Sequence, residues 1–210
     1  DISITGQVGA AASGSFNMGI LVAGGGRITS TGTGANAAKI TLAGTGGGGT
    51  GNNFGVDVEG TTTPVTSVDG AIKFTGTPGG GGVANGTYGI TIGYPSHLPT
   101  ESVTTTGTAG IELIADNIQI PASGALNASS NTIILRPKTA GRNLTLGGTD
   151  SDSLLNLTDA VLDRITAGTL VLGDSTSGTL TVSSAITRPA STALSLSSAS
   201  SIALNASINS

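Results

Sequence analysis

The sequence predicts an all-β chain folded as a parallel β-helix, a β-solenoid with about three strands per coil. Three observations predict it. Apolar and polar residues alternate strictly over short runs, the period of a half-buried strand. Strand-like anchors recur in the same order about every 35 residues. The runs between them are built from Gly, Ser, Thr and Asn, the residues of corners and turns.

The first anchor is an alternating strand, seen as ISIT from Ile2, KITL from Lys39 and AIKF from Ala71; its central isoleucines are Ile4, Ile40 and Ile72. The second follows a glycine, in MGILV, FGVDV and YGITI, and places Ile20, Val56 and Ile90 after Gly19, Gly55 and Gly89. The third is Thr-rich, ITST from Ile28, VTSV from Val65 and VTTT from Val103. Period two makes Ile4, Ile40, Ile72, Ile20, Val56 and Ile90 a ladder of core residues, with Ile2, Val22, Leu42, Val58, Phe74 and Ile92 also inward.

Short strands with turns between them also suit a sandwich or a propeller. A propeller blade needs four antiparallel strands and aromatic signature residues, whereas a solenoid coil needs one strand per side, stacked on the last at about 4.8 Å. The chain is only 2% aromatic, with 35 Gly and no Cys or Trp, so its interior must be built from Ile, Leu and Val. With 37% hydrophobic and 10% charged residues it is too apolar for disorder. One coil buries too little to fold alone, so the fold is stable only as an array.

Between the first and second anchors of each repeat lies a run of small residues, GQVGAAASGSFN, GTGGGGTGNN and GTPGGGGVANGT. Small side chains let stacked loops approach closely, and each loop is expected to be ordered by those above and below it. Residues 1–110 form one region on this pattern. Residues 111–210 continue the β-helix with a different period, placing Ile111, Leu113, Ile118, Ile120, Leu144, Leu146, Leu170, Leu172, Leu180, Val182, Leu194, Leu196, Ile202 and Leu204 inward. LTDAVLDRITAG, residues 157–168, differs. Thr158 and Asp159 as cap residues and the closing Ala-Gly predict a helical turn near 158–164.

Net charge −4 with scattered Lys and Arg gives no footprint for nucleic acid or an anionic membrane surface, and no apolar run reaches the length of a membrane span. The glycine run GTGGGG at 44–49 matches a dinucleotide fingerprint in letters only, since no helix follows to hold a phosphate. No Asp recurs in the glycine runs as a calcium-binding repeat requires. His97, the one histidine, belongs to no recognisable motif and is read as a loop residue. Asp57, Glu59, Glu101, Glu112 and Asp116 are the carboxylates to weigh for polysaccharide cleavage. Asp57 and Glu59 flank Val58 at outward positions, which reads as solvated surface charge. Met18, Phe54 and Tyr88 precede the matched glycines and are expected to stack as a corner column; Thr29, Thr66 and Thr104 form a hydroxyl ladder. The reading is a structural chain, not an enzyme, with no cofactor and no metal.

The block TIILRPKTAGRNLTLGGTDSDSLLNLTDAVLDRITAGTLVLGDSTSGTLTVSSAI, residues 132–186, resembles the repeats of giant bacterial surface proteins related to filamentous haemagglutinin. The upstream GxNxGV-like copies are similar to the beta-strand repeats of the same group. The resemblance covers most of the chain and is one of repeat style; the sequence has no Asn-Pro pair, so the NPNG-type signature of two-partner secretion members is absent. The resemblance implies a right-handed β-helix at the bacterial cell surface or in the medium, serving as a stiff stalk or adhesin in attachment, biofilm or cell-cell contact. It implies host or matrix glycans as partners. A polysaccharide-binding or -degrading β-helix of the tailspike kind is the alternative. DISITG and SIALNASINS both read as alternating strands, so each end of the stack is expected to be covered, by continuation of the same chain or by end-to-end self-association.

Overall fold

Strands of two to six residues separated by tight corners leave each turn of chain one way to satisfy its backbone, by pairing with the turn before and after. The computed structural model, which describes residues 1–60, 62–94, 101–189 and 191–209, has that architecture. All strand pairs among the described residues are parallel, and the chain is a parallel β-solenoid with three sides.

The first side is one seven-stranded sheet, Ile2–Gln7, Ile40–Thr45, Ile72–Thr77, Ile111–Ile114, Thr132–Arg136, Thr169–Leu172 and Ala193–Leu196, in chain order. It crosses residue 110 without interruption. Two apolar columns run its length on the inner face: Ile2, Ile40, Ile72, Ile111, Ile133, Leu170 and Leu194, then Ile4, Leu42, Phe74, Leu113, Leu135, Leu172 and Leu196. The expected alignment of Ile4 with Ile40 and Ile72 is therefore off by two residues, and Ile4 stacks on Leu42. A slip of two keeps a side chain on the same face, so the inward assignment survives while the partner changes.

The second side carries Ile20–Val22, Val56–Val58, Ile90–Ile92 and Ile118–Gln119. A further four-stranded sheet follows, and here the chain doubles back. Asn143–Leu146 is followed by a turn and then Leu154–Leu157, which pairs parallel to it and lies against the Ile118–Gln119 strand. Leu180–Val182 and Ile202–Leu204 complete that sheet. The third side stacks Ile28–Ser30, Val65–Ser67, Glu101–Thr105, Gly124–Asn127 and Ile165–Thr166, with Ile186–Thr187 and Ile208–Asn209 beyond.

The helical turn spans Asp159–Leu162. Thr158 is its cap, accepting the Val161 N–H at 3.3 Å; Asp159 is already inside, and the turn ends at Asp163 rather than at Ala167 and Gly168. It carries the chain from the doubled strand to the third side.

Ile40, Leu42, Val56, Ile72 and Ile90 are at most 1% exposed. Ile4, on the first strand, is 38% exposed, and Ile202 and Leu204, on the last strand of the second side, are 45% and 63% exposed. A solenoid side chain is buried by a coil on each side of it, and these have a neighbour on one side only.

Candidate functional site

The glycine-rich loops leave the coil through a neck made of two glycine columns. Gly6, Gly44 and Gly76 stack in register at the end of the first side. Opposite them Gly19, Gly55 and Gly89 begin the second side, joined by the bonds Gly19 N–H to Phe54 O (2.9 Å) and Gly55 N–H to Tyr88 O (3.1 Å). A Cβ on Gly44 would lie 1.9 Å from the Gly55 carbonyl oxygen, and one on Gly76 2.0 Å from that of Gly89. Only glycine permits this approach of backbone to backbone.

The loops beyond the neck are ordered by one another. Gly47 donates to Asn17 O, Thr50 to Gly14 O, Gly79 to Asn53 O and Gly80 to Gly47 O, at 2.6–2.9 Å. An amide ladder fixes them to the coil. Asn53 Oδ1 accepts the backbone N–H and the side-chain amide of Asn17 (2.9 and 3.1 Å), and Asn53 Nδ2 donates to Gly80 O (2.9 Å). Thr87 takes the same place one coil on, accepting the Asn53 N–H at 3.3 Å. Asn17, Asn53 and Thr87 sit two residues before the matched glycines, a spacing visible in the sequence next to the corner column of Met18, Phe54 and Tyr88.

In that column Met18 is half-buried, while Phe54 and Tyr88 are buried. Tyr88 also donates its hydroxyl to Asp150 Oδ2 at 2.9 Å. Burial and the Asp150 charge push the phenol well above its ordinary range. Asp150 and Asp152 lie in the turn of the doubled strand, and Asp152 Oδ1 accepts the Val83 N–H at 2.8 Å, so that turn clasps the third glycine loop. The Thr29, Thr66 and Thr104 ladder is in register, with Thr66 donating to Thr29 at 3.3 Å; it continues through Asn127 and Thr166.

Carboxylates stitch successive coils at the corners. Asp69 Oδ2 accepts the Gly34 N–H at 2.7 Å, and its Oδ1 accepts both the N–H and the hydroxyl of Thr108 at 2.7 and 3.0 Å. Asp116 takes the N–H and hydroxyl of Thr139 at 2.8 and 2.6 Å, and Asp159 those of Thr187 at 2.7 and 3.0 Å. Glu101 receives the N–H of Gly60 and, at 2.9 Å, that of Tyr94. Each of these carboxylates accepts at least two hydrogen bonds from neighbouring segments.

On the outer face of the long sheet, Glu112 lies 3.2 Å from Lys73 Nζ and 2.8 Å from Arg136 Nε, and Arg136 reaches Asp174 at 3.2 Å. Burial alone would raise the Glu112 carboxyl, but the two cations outweigh it and hold it below the usual range. Beside this ion ladder is a groove of about 350 Å³ with Ala71, Gly110 and Ile134 in its lining and Lys39, Thr41, Lys73, Glu112 and Thr132 bearing its polar groups.

Asp57 corrects an expectation. Although it alternates with Val56 and Val58, it is 0% exposed, and neither carboxylate oxygen has a hydrogen-bond partner. Burial pushes its carboxyl up to about 8, aided by the negative charges of Glu59 and Glu101; the Val58 N–H pulls the other way without reaching hydrogen-bonding geometry. Both faces of this strand are covered, as are both faces of Ile90–Ile92, so alternation misreads these two strands as half-exposed, while on Ile20–Val22 Leu21 does face solvent. His97 lies outside the described residues. Among the described residues no three His, Cys, Asp or Glu side chains gather as a metal-ligand set, and no helix is long and apolar enough to cross a membrane. No protein-family model, curated protein or solved structure matches the chain.

Proposed function

We propose that this chain is a structural segment of an extracellular bacterial fibre or adhesin, a stiff stalk used in surface attachment, biofilm or cell-cell contact. The observation that carries the reading is the long sheet. Seven strands keep two side-chain columns in one register, and the surrounding corners are stitched coil to coil by backbone, amide and carboxylate hydrogen bonds. Such an array resists bending because each coil is held by its neighbours on every side. Of the carboxylates weighed for cleavage, Glu101 and Asp116 serve as staples, Glu112 is held in ion pairs and Asp57 lies buried, which supports a mechanical rather than a catalytic role. In this reading the stack extends past its exposed terminal strands, through more of the same polypeptide or the next subunit end to end. Electron microscopy of the native material tests it: thin rods of uniform width are expected, and compact particles overturn it.

The groove beside Glu112 favours a second reading, that this face holds a saccharide. Its apolar floor suits a sugar ring, and its hydroxyls and amines suit the ring's hydroxyl groups. Glu112 is its one carboxylate and is engaged by two cations, so binding without cleavage is the chemistry it fits. Glycan-array binding that is lost in Lys39→Glu supports this reading, and an array without signal removes it.

A further inference from the structure

Strand pairing sets Asp57 directly against Thr91 on adjacent strands of the second side. Both residues are 0% exposed, and the three side-chain oxygens they bring together, Asp57 Oδ1 and Oδ2 and Thr91 Oγ1, all lack a hydrogen-bond partner. On the other flank Asp57 meets Leu21, which offers neither charge nor donor. The charges acting on Asp57 among the described residues are Glu59, two positions along, and Glu101, which closes the following corner through Gly60 and Tyr94; both are negative. A buried carboxylate without donor or cation is far costlier than the same group as a neutral acid.

From this geometry we propose that Asp57 and Thr91 form a proton-dependent latch on the second side of the coil: the strands Val56–Val58 and Ile90–Ile92 hold closed while Asp57 is a neutral acid and open more readily once it is ionised. The direction follows from linkage. In the closed state the carboxyl keeps its proton to about pH 8, whereas an opened strand exposes it to water, where an aspartic acid ionises near pH 4. Opening therefore releases a proton. The opening equilibrium rises by up to about tenfold per pH unit between these limits and levels off above them. The latch is tight in acid and loose at neutral and alkaline pH, the reverse of the Asp69, Glu112 and Asp174 contacts, whose carboxyls are held low.

Amide hydrogen exchange of the 210-residue chain from pH 4 to 9, with intrinsic exchange rates divided out, reads the latch directly. The opening of Val56–Val58 and Ile90–Ile92 is expressed relative to Thr132–Arg136. The ratio is expected to climb at least tenfold from pH 5 to pH 8 and to stay flat in Asp57→Asn. A constant ratio in the parent, or the same climb in Asp57→Asn, overturns the proposal. Repeating the series in His97→Gln removes the one histidine from the titration; loss of the climb there also overturns it. Should Asp57→Asn fail to fold, the carboxyl ¹³C shift of Asp57 in the parent decides: a midpoint above pH 7 is expected, and one below pH 5 overturns the latch.

Discussion

Thr108 delivers both its backbone N–H and its hydroxyl to Asp69, at 2.7 and 3.0 Å, across 39 residues of chain and one step of the coil. The same two-donor grip recurs between Asp116 and Thr139 and between Asp159 and Thr187. An ionised carboxylate is the stronger acceptor for such a pair of donors.

Acid should loosen the contacts of Asp69, Glu112 and Asp174. The Gly34 N–H, followed by the N–H and hydroxyl of Thr108, holds the Asp69 carboxyl below its ordinary range. At Glu112 and Asp174, burial pulls upward, yet the bonds they accept from Arg136 and Lys73 and from Thr176 and Ser177 hold both down. A depressed folded-state value gives stability that is full above about pH 4 and is lost as pH falls through the folded value. Melting temperature is expected to drop on acidification from pH 5 to pH 2, and Asp69→Asn should shrink that drop. An acid profile unchanged by the substitution would show that the staple is silent.

Val56 is 0% exposed and stacks between Ile20 and Ile90. Val56→Asp inserts a charge with no partner into that column and should cost roughly 3–5 kcal/mol, unravelling the adjoining coils. Denaturant midpoints measure the loss; a midpoint equal to the parent's would refute the inward assignment of FGVDV.

At the loop neck, Gly44→Ala sets a methyl group 1.9 Å from the Gly55 carbonyl oxygen, backbone that cannot step aside. A loss of at least ~2 kcal/mol is expected. Gly9→Ala is the control, since a Cβ there meets nothing within 4 Å, and it should stay within about 0.5 kcal/mol of the parent. Equal effects from the two would mean that the glycine columns are dispensable.

Glu112→Gln removes the shared acceptor of Lys73 and Arg136. The side chain is 25% exposed, so solvent screens the pairs and the cost should be only ~0.5–1 kcal/mol, shrinking as salt rises. Thermal melts at low and high salt read both the size and the trend, and a salt-independent cost would point to packing instead.

The all-β class, the stacking of coils, the inward isoleucines and the Thr29, Thr66 and Thr104 ladder were legible because alternation is a local signal and the repeat compares the chain with itself. Phe54 and Tyr88 could be placed for the same reason. The pairing of Ile4 with Leu42 rather than Ile40 was not legible, because a two-residue slip preserves every inward and outward assignment and only backbone pairing between coils resolves it. Nor was the doubled strand at Asn143–Leu157, where two alternating segments in sequence became neighbours on one side instead of occupants of two.

What the sequence by itself determined was which side chains share a face, since that depends on period alone. What only the tertiary structure decided was what lies on the far side of each face. Asp57 and Glu112 both occupy outward positions of alternating strands; one is sealed from water without a partner, and the other lies between two cations. That difference arises from segments distant in the chain, whose approach depends on how the coils stack and not on any residue beside the carboxylate itself.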